Sequence, residues 1–405
     1  MQQITDTRRY DIDWLRTLAF ILLIFYHVAM FYVQDWGWHV KSAYQSEFLQ
    51  NIMLLVNQWR MPLIFLVSGA ALALVEHKIS AWRLFKLRTV RVFIPLVIGM
   101  YLIVPPQLYY QLIQNNGFAG NYLEFFNFYI DINTNKYPEQ QHAPIGLITW
   151  NHLWYLPYLF SYTLIYILLK PVLNKINWLK FATITSPWVI FILPVSLYMI
   201  YGMFLEPHFP TTHALIGDWY NHANSFTSFM FGFIMAKSPS IWQIIIQKHK
   251  FWLGLAILSY CLVLVRFNRG LGFDVSYADA STFSQIFIQF IWRANSVLWL
   301  LAIISFSGAY LNKKNRLLTY MNEAVLPWYI LHQTVIIVMA MNFAKLSLGG
   351  VIEPIMVVIT TFIVCFLSYE VIKRNNITRL IFGMKLQRNK SNTLAKGQDT
   401  SISLT

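Results

Sequence analysis

An arginine and a histidine stand eleven positions apart near the start of the chain, Arg16 and His27, in a stretch that runs Asp13-Trp-Leu-Arg16 and on to Phe25-Tyr26-His27. At 100° per residue this spacing closes about 20° past three helical turns, so both side chains project from one face, about 16 Å apart along the axis. An imidazole has an unperturbed pKa of about 6.5, so it can stand neutral and take a proton from a hydroxyl, or accept an acyl group on its own nitrogen. A structural histidine bonded to a neighbouring helix fits the same spacing. Arg88-Thr-Val-Arg91 sets two guanidinium groups on one face, where they can clamp phosphate or simply add to the positive charge of a cytoplasmic loop. Arg60 and Arg293 each fall about eight residues into an apolar run, about 12 Å deep by helical rise. The nearest acids, Glu206, Asp218 and Glu353, lie at the edges of such runs. A guanidinium at that depth needs carbonyls, water or a bound anion unless it snorkels to the surface.

Two further clusters, Asn151-His152-Leu-Trp154-Tyr155 and Tyr329-Ile-Leu-His332-Gln333, either face the same cavity or serve as interfacial aromatics and helix-to-helix hydrogen bonds. His208 and His213 lie near Glu206, but their spacing of five is not that of helical metal ligands, and no metal site is expected.

The elements that must position these groups are membrane spans. Of 405 residues, 57% are hydrophobic and 12% charged, the latter about half the share of a soluble domain. Apolar runs of about 20 residues recur, each long enough to cross a hydrocarbon core. Ten spans are expected, near 14–33, 52–74, 92–112, 153–169, 187–204, 223–236, 251–265, 285–309, 325–344 and 354–372. This excludes a cytosolic globule, a disulfide scaffold and a disordered chain. The fold class is therefore all-α, a polytopic helical bundle. Cys261 and Cys365 sit in apolar runs and read as small buried hydrophobes. The first run carries Arg16 and His27 and no small-residue cleavage site follows it, so it reads as a retained helix.

A net charge of +14 would suggest nucleic acid in a soluble protein. In a membrane protein it has another source, because basic residues gather in cytoplasmic loops. With the N-terminus inside, 23 of the 31 Lys and Arg residues fall in inside segments and five in outside loops. That asymmetry puts both termini in the cytoplasm. The outside loops hold six of the ten histidines (His39, His142, His152, His208, His213 and His222). The longest, from Gln114 to Asn151, reads as an ordered aromatic cap. Residues 1–384 read as one transmembrane domain and 385–405 as a polar, basic, disordered cytoplasmic tail. No internal repeat is visible, which speaks against an inverted-repeat transporter.

Taken in order, these motifs resemble the membrane acyltransferase 3 family, and within it the branch linked to succinylating periplasmic glucans. The likeness rests on Arg16 and His27, on Arg88-Thr-Val-Arg91, and on Trp59-Arg60-Met61-Pro62 leading to Ser68-Gly69. Asn151-His152-Leu-Trp154-Tyr155-Leu156 and Tyr329-Ile-Leu-His332 extend it over nearly the whole chain. The resemblance implies about ten helices in the inner (cytoplasmic) membrane, an acyl donor from the cytoplasm and a carbohydrate acceptor outside. Acyl-coenzyme A would be the donor substrate, with no permanently bound cofactor, and other glucan-biosynthesis proteins would be companions. Arg16, Arg88 and Arg91 would hold its phosphates, and His27 would act as general base or acyl carrier. Arg60 and Arg293 would meet a carboxylate on the acyl group, which favours succinyl over acetyl. His152, Trp154, Tyr155 and His332 would either serve the acceptor side or support the reacting groups from behind. The competing expectations are a transporter or flippase for an anionic or lipid-linked saccharide, using the same Arg and His, and a scaffold in which those residues satisfy each other.

Overall fold

In lipid every backbone N–H and C=O needs an internal partner, so long apolar runs fold as helices. The computed structural model describes residues 8–141, 145–176, 186–269 and 280–387. His142, Lys180 and the tail from Arg388 onward, with Lys390 and Lys396, lie outside the described residues. Among the described residues the regular elements are helical, and extended backbone pairs only at one isolated bridge, Val33 to Ser46.

The first span is α1 (Tyr10–Tyr32). The second holds α2 (Phe48–Asn57) and α3 (Arg60–Val75), parted at Gln58 and Trp59. The third, Ala81–Asn115, runs through α4 (Ala81–Arg88), a π turn (Thr89–Phe93), α5 (Ile94–Leu102) and α6 (Pro105–Asn115). It starts well before the expected 92, because Ser80 caps α4 by accepting from the Arg83 amide and Arg and Lys are good helix formers. After α7 (Tyr122–Tyr129), a 3-10 turn at Asn151–Trp154 leads into α8 (Tyr155–Leu173), and α9 (Pro187–Phe204) follows. The sixth expected span is α10 (Trp219–Lys237), which turns by 99° into α11 (Pro239–Gln247). The remaining spans are α12 (His249–Phe267), α13 (Thr282–Tyr310), α14 (Arg316–Ala344) and α15 (Gly349–Ile372), and the short α16 (Asn376–Ile381) closes the described chain. Among the described residues nine spans are long and apolar enough to cross a membrane, ten when the bent pair is counted as one. The chain is a multi-pass membrane protein.

Helix α3 packs along α10 at backbone contact. A Cβ on Gly69 would sit 1.8 Å from the Phe229 carbonyl oxygen, and one on Gly232 would sit 1.9 Å from that of Leu66. Small residues at such crossings let two membrane helices approach where no hydrophobic effect drives them together. Phe65, Leu66, Phe229, Leu301 and Trp252 lie in the largest core cluster.

The bundle has two distinct ends. At one, the termini end, the Tyr10 amide donates to Asn312 (3.0 Å) and Arg91 Nε to the Gly383 carbonyl (2.9 Å). Lys385 to Gln387, the first residues of the expected tail, are tied down there. Arg379 Nε donates to the Lys385 carbonyl at 2.5 Å, and Asn376 and Gln387 bond each other twice. At the other, the loop end, three connections meet. Gln114 bonds both backbone groups of Lys41, and Trp150 Nε1 donates to the His213 carbonyl (2.8 Å). Phe125, Phe128 and Tyr129 of α7 pack with Leu108, Leu112, Leu147 and Ile148 into a small core of their own.

Candidate active site

Three histidines from three spans converge below the loop end. His332 Nδ1 lies 2.7 Å from the Tyr329 carbonyl, and His332 Nε2 lies 3.0 Å from His27 Nδ1. A carbonyl only accepts, so the His332 proton sits on Nδ1. With the ring neutral, its Nε2 accepts from His27 Nδ1–H, which leaves the lone pair of His27 on Nε2. His152 is fixed in the opposite sense. Its Nε2 donates to the Ile330 carbonyl (3.0 Å), and its Nδ1 accepts from Gln107 Nε2 (3.1 Å). Gln107 is fully buried and also donates to Thr334 (2.7 Å), while its Oε1 accepts from Gln333 (3.0 Å) and Asn151 (3.4 Å). The Tyr329 hydroxyl donates to the His152 carbonyl at 2.6 Å, which joins the 3-10 turn before α8 to α14.

His27 lines a cavity of about 760 Å³ together with Arg60, Trp38, His152, Trp154 and His213. This is within the range of small-molecule sites. Arg60 opens α3 just after the break in its span. Its guanidinium lies 3.4 Å from the centre of the Tyr26 ring and donates to Asn57 Oδ1 at 3.0 Å, an oxygen that the Tyr26 hydroxyl also reaches. No carboxylate of the described residues pairs with Arg60, so its charge is available to the cavity.

The far wall is the 205–218 connection. Fully buried Asp218 accepts from the amides of Thr212 (2.9 Å) and His213 (3.0 Å), from Asn221 (2.8 Å) and from the Tyr158 hydroxyl. Burial alone would lift its carboxyl, but the bonds from Tyr158, Asn221 and Thr212 hold it below the usual carboxylate range. The loop is bent by left-handed backbone at His213 (φ 58°) and Leu215 (φ 66°). It sets the His213 ring 4.0 Å from that of Trp154. Burial brings the His213 imidazole down to about 4.

The other arginines meet at the termini end. Arg16 donates to Asn322 Oδ1 at 2.7 Å and lies 3.5 Å from Asp13. Arg88 closes α4 and Arg91 sits in the π turn, a helix irregularity that recurs at functional sites. Arg88 is within electrostatic reach of Arg16, Arg91 and Tyr155, and Arg91 of Arg16. The Nε atoms of Arg16 and Arg88 are buried with no hydrogen-bond partner among the described residues. Three guanidiniums with one nearby carboxylate and unused donors are a set whose charge and geometry can hold an anion.

Two expectations are corrected by this geometry. Arg293 does have an acidic partner, Glu206, at 2.8 Å, and it lies beside Gly202 and Tyr220, not on the cavity wall. The reason is length: α9 has 18 residues against 29 in α13, so the end of α9 and the Glu206 that follows meet Arg293 part-way along. Of the two roles expected for Tyr155, at the acceptor or in support of the reacting groups, the geometry removes the first, because its hydroxyl points toward the arginines. Its hydroxyl meets Ser68 Oγ at 2.5 Å and is within reach of Arg88 and Arg16. Its ring packs with Phe20 (6.2 Å) and Tyr329 (6.1 Å), and Phe20 packs on Tyr329 (5.1 Å). These rings form a partition between the arginines and the histidines. Gln107, Asn322, Asp218 and Trp38 carry parts of the site that the spacing of charged residues does not reveal. They are neutral, or lie at a span edge, and take their role from partners distant in the chain.

Residues 9–370 match the family described as an acyltransferase domain. The glucans biosynthesis protein C of Salmonella paratyphi B and that of Salmonella heidelberg are similar to this chain. Each is 28% identical over 109 residues, which is 26% of this chain and 28% of the relative. In these alignments the chain spans 28% of the length of the curated relatives it matches. No solved structure matches the chain.

Proposed function

The chain belongs to the acyltransferase 3 family, and from that premise we propose that it is a membrane O-acyltransferase that moves an acyl group, succinyl in preference to acetyl, from cytoplasmic acyl-coenzyme A to a hydroxyl of a carbohydrate such as a glucan in the periplasm or at the cell surface. The termini end faces the cytoplasm in this reading, as the excess of Lys and Arg there supports. The glucan acceptor is supported by the named function of the Salmonella relatives.

The observation that carries the reading is the hydrogen bond from His27 Nδ1 to His332 Nε2 at 3.0 Å. It leaves Nε2 of His27 with its lone pair, on a ring that lines the cavity. A sugar hydroxyl gives its proton to that nitrogen as its oxygen attacks the thioester carbonyl. The C–S bond breaks, and the imidazolium returns the proton to the departing thiolate. If Nε2 itself took the acyl group first, the same tautomer would be required.

The donor's phosphates sit against Arg16, Arg88 and Arg91, and its long arm follows α1 toward His27, about 16 Å further on. The arm passes the rings of Phe20, Tyr155 and Tyr329, so those rings part during turnover. Arg60 receives the free carboxylate of a succinyl group as a charge-assisted pair in a site with little water. His152, Trp154 and Trp38 line the acceptor's side of the cavity, while His332 acts through His27 by fixing its tautomer.

The test uses purified protein in proteoliposomes with labelled succinyl- or acetyl-coenzyme A inside and a glucan oligosaccharide outside. Label should appear covalently on the sugar, more from the succinyl donor, and His27→Ala should abolish it. A flippase for anionic saccharides would release its cargo unmodified, and that result would overturn the reading.

A further inference from the structure

Beside the His27 cavity lies a second hollow of about 310 Å³, and the two share Trp38, His39, Thr149 and Asn151 on their walls. Its remaining polar groups are Gln111 and Gln140. Among the described residues no Asp, Glu, Lys or Arg lines it, so it offers a charged ligand no compensating partner. The polar groups are already arranged. Gln111 Oε1 is 2.5 Å from His39 Nδ1, and Gln111 Nε2 donates to Gln140 Oε1 at 2.6 Å. Thr149 Oγ1 accepts from the Asn151 amide at 3.3 Å, which leaves its own proton to give. Asn151, held at φ 41°, uses its amide N–H on Gln107 at 3.4 Å and keeps its Oδ1 for another donor. The amide hydrogens of Gln140 likewise have no partner among the described residues.

The hollow therefore offers free donors on Gln140 and Thr149 and a free acceptor on Asn151, with an indole wall from Trp38. A neutral polyol satisfies that set, because each hydroxyl both donates and accepts and the C–H face of a sugar ring lies on an aromatic. The indole of Trp38 also stacks on His27, 6.5 Å away with 23° between the planes, so one side chain borders both the reacting centre and the second hollow. We propose that the 310 Å³ hollow is a second sugar subsite, holding the neutral ring next to the one acylated, so that the protein selects oligosaccharides over single sugars. The proposal rests on the carbohydrate-acceptor reading above.

The experiment compares kcat/KM for a methyl glucoside and for a glucose disaccharide, each with the same acyl-coenzyme A, in the reconstituted full chain. The wild type should favour the disaccharide by about tenfold, the yield of one to two net hydrogen bonds. Gln140→Leu should bring the ratio toward one, and Gln111→Leu serves the same purpose should the first variant not fold. Both substrates are read in one preparation, so an inactive fraction cancels from the ratio. A wild-type ratio near one, or a wild-type ratio kept by the folded variant, overturns the subsite while leaving acyl transfer to sugars standing. Failure of the wild type to acylate either sugar overturns the acceptor reading itself.

Discussion

His332 holds His27 through a single 3.0 Å hydrogen bond, and its own Nδ1, 2.7 Å from the Tyr329 carbonyl oxygen, carries the proton. The pair makes a directed chain from a backbone oxygen to Nε2 of His27, on a ring that lines the cavity. Loss of His27 to Ala should lower kcat by roughly 100- to 10,000-fold, the range of a general base. His332→Ala should lower kcat by roughly 10- to 100-fold with little change in KM, because it removes orientation and not contact. A variant that keeps a neutral acceptor, His332→Gln, should recover part of the rate. Equal kcat in His332→Ala and wild type would show that the bond does not set the tautomer.

Arg60 has a tyrosine face and an amide for company but no carboxylate among the described residues. Arg60→Gln should reduce kcat/KM for a succinyl donor by roughly 10- to 100-fold, in keeping with a charge-assisted bond, and alter acetyl transfer far less. Equal losses with both donors would remove the role in acyl selection.

Gly383 presses against the π turn. Its φ of +66° is a glycine conformation, and a Cβ there would meet the Arg91 carbonyl oxygen at 2.5 Å and the Leu326 side chain at 2.7 Å. Since Arg91 Nε also bonds the Gly383 carbonyl, Gly383→Ala should displace Arg91 and raise KM for acyl-coenzyme A by roughly tenfold with kcat largely kept. Arg91→Gln should do the same and also flatten the salt dependence of that KM. An unchanged donor KM in both variants would place the coenzyme elsewhere.

The loop histidine gives a pH signature. Burial holds His213 down at about 4, below its unfolded value of about 6.5. Between those values the unfolded chain binds a proton that the folded chain refuses, so stability rises with pH across the window and is lost as pH falls from 6.5 toward 4. The melting temperature of His213→Phe, which keeps an aromatic ring against Trp154, should therefore fall less than that of the wild type over this range. Parallel curves would contradict the assigned shift.

The α3–α10 crossing has no room for a side chain. Gly232→Val should reduce folded yield in detergent and lower the melting temperature, since its Cβ would overlap the Leu66 carbonyl. A variant as stable as the wild type would mean that the two helices can separate at little cost.

Much of this arrangement is legible in the order of residues, for definite reasons. Period and length alone locate the spans, because lipid forces backbone groups into helices; α9 begins and ends where the apolar run does. A charge or an imidazole inside such a run is expensive, which is why His27, Arg16, Arg60 and His332 stand out. What cannot be read are contacts between distant positions. Arg16 meets Asn322 across 306 residues, and His152 meets Gln107 across 45. The π turn under Arg91, the break before Arg60 and the 99° bend after α10 are likewise set by packing. Arg60 and Arg293 look alike as sequence, yet one faces the cavity and the other meets Glu206, because only packing decides which acid comes within reach.

Acyl transfer at His27 is read out by the mass of a sugar acceptor recovered after incubation with reconstituted protein and succinyl-coenzyme A, for wild type and His27→Ala. The wild-type product should carry one ester-linked succinyl group and the variant should return an unaltered sugar. An acceptor that returns unaltered from the wild type, or that the variant acylates at the wild-type rate, would contradict acyl transfer at His27.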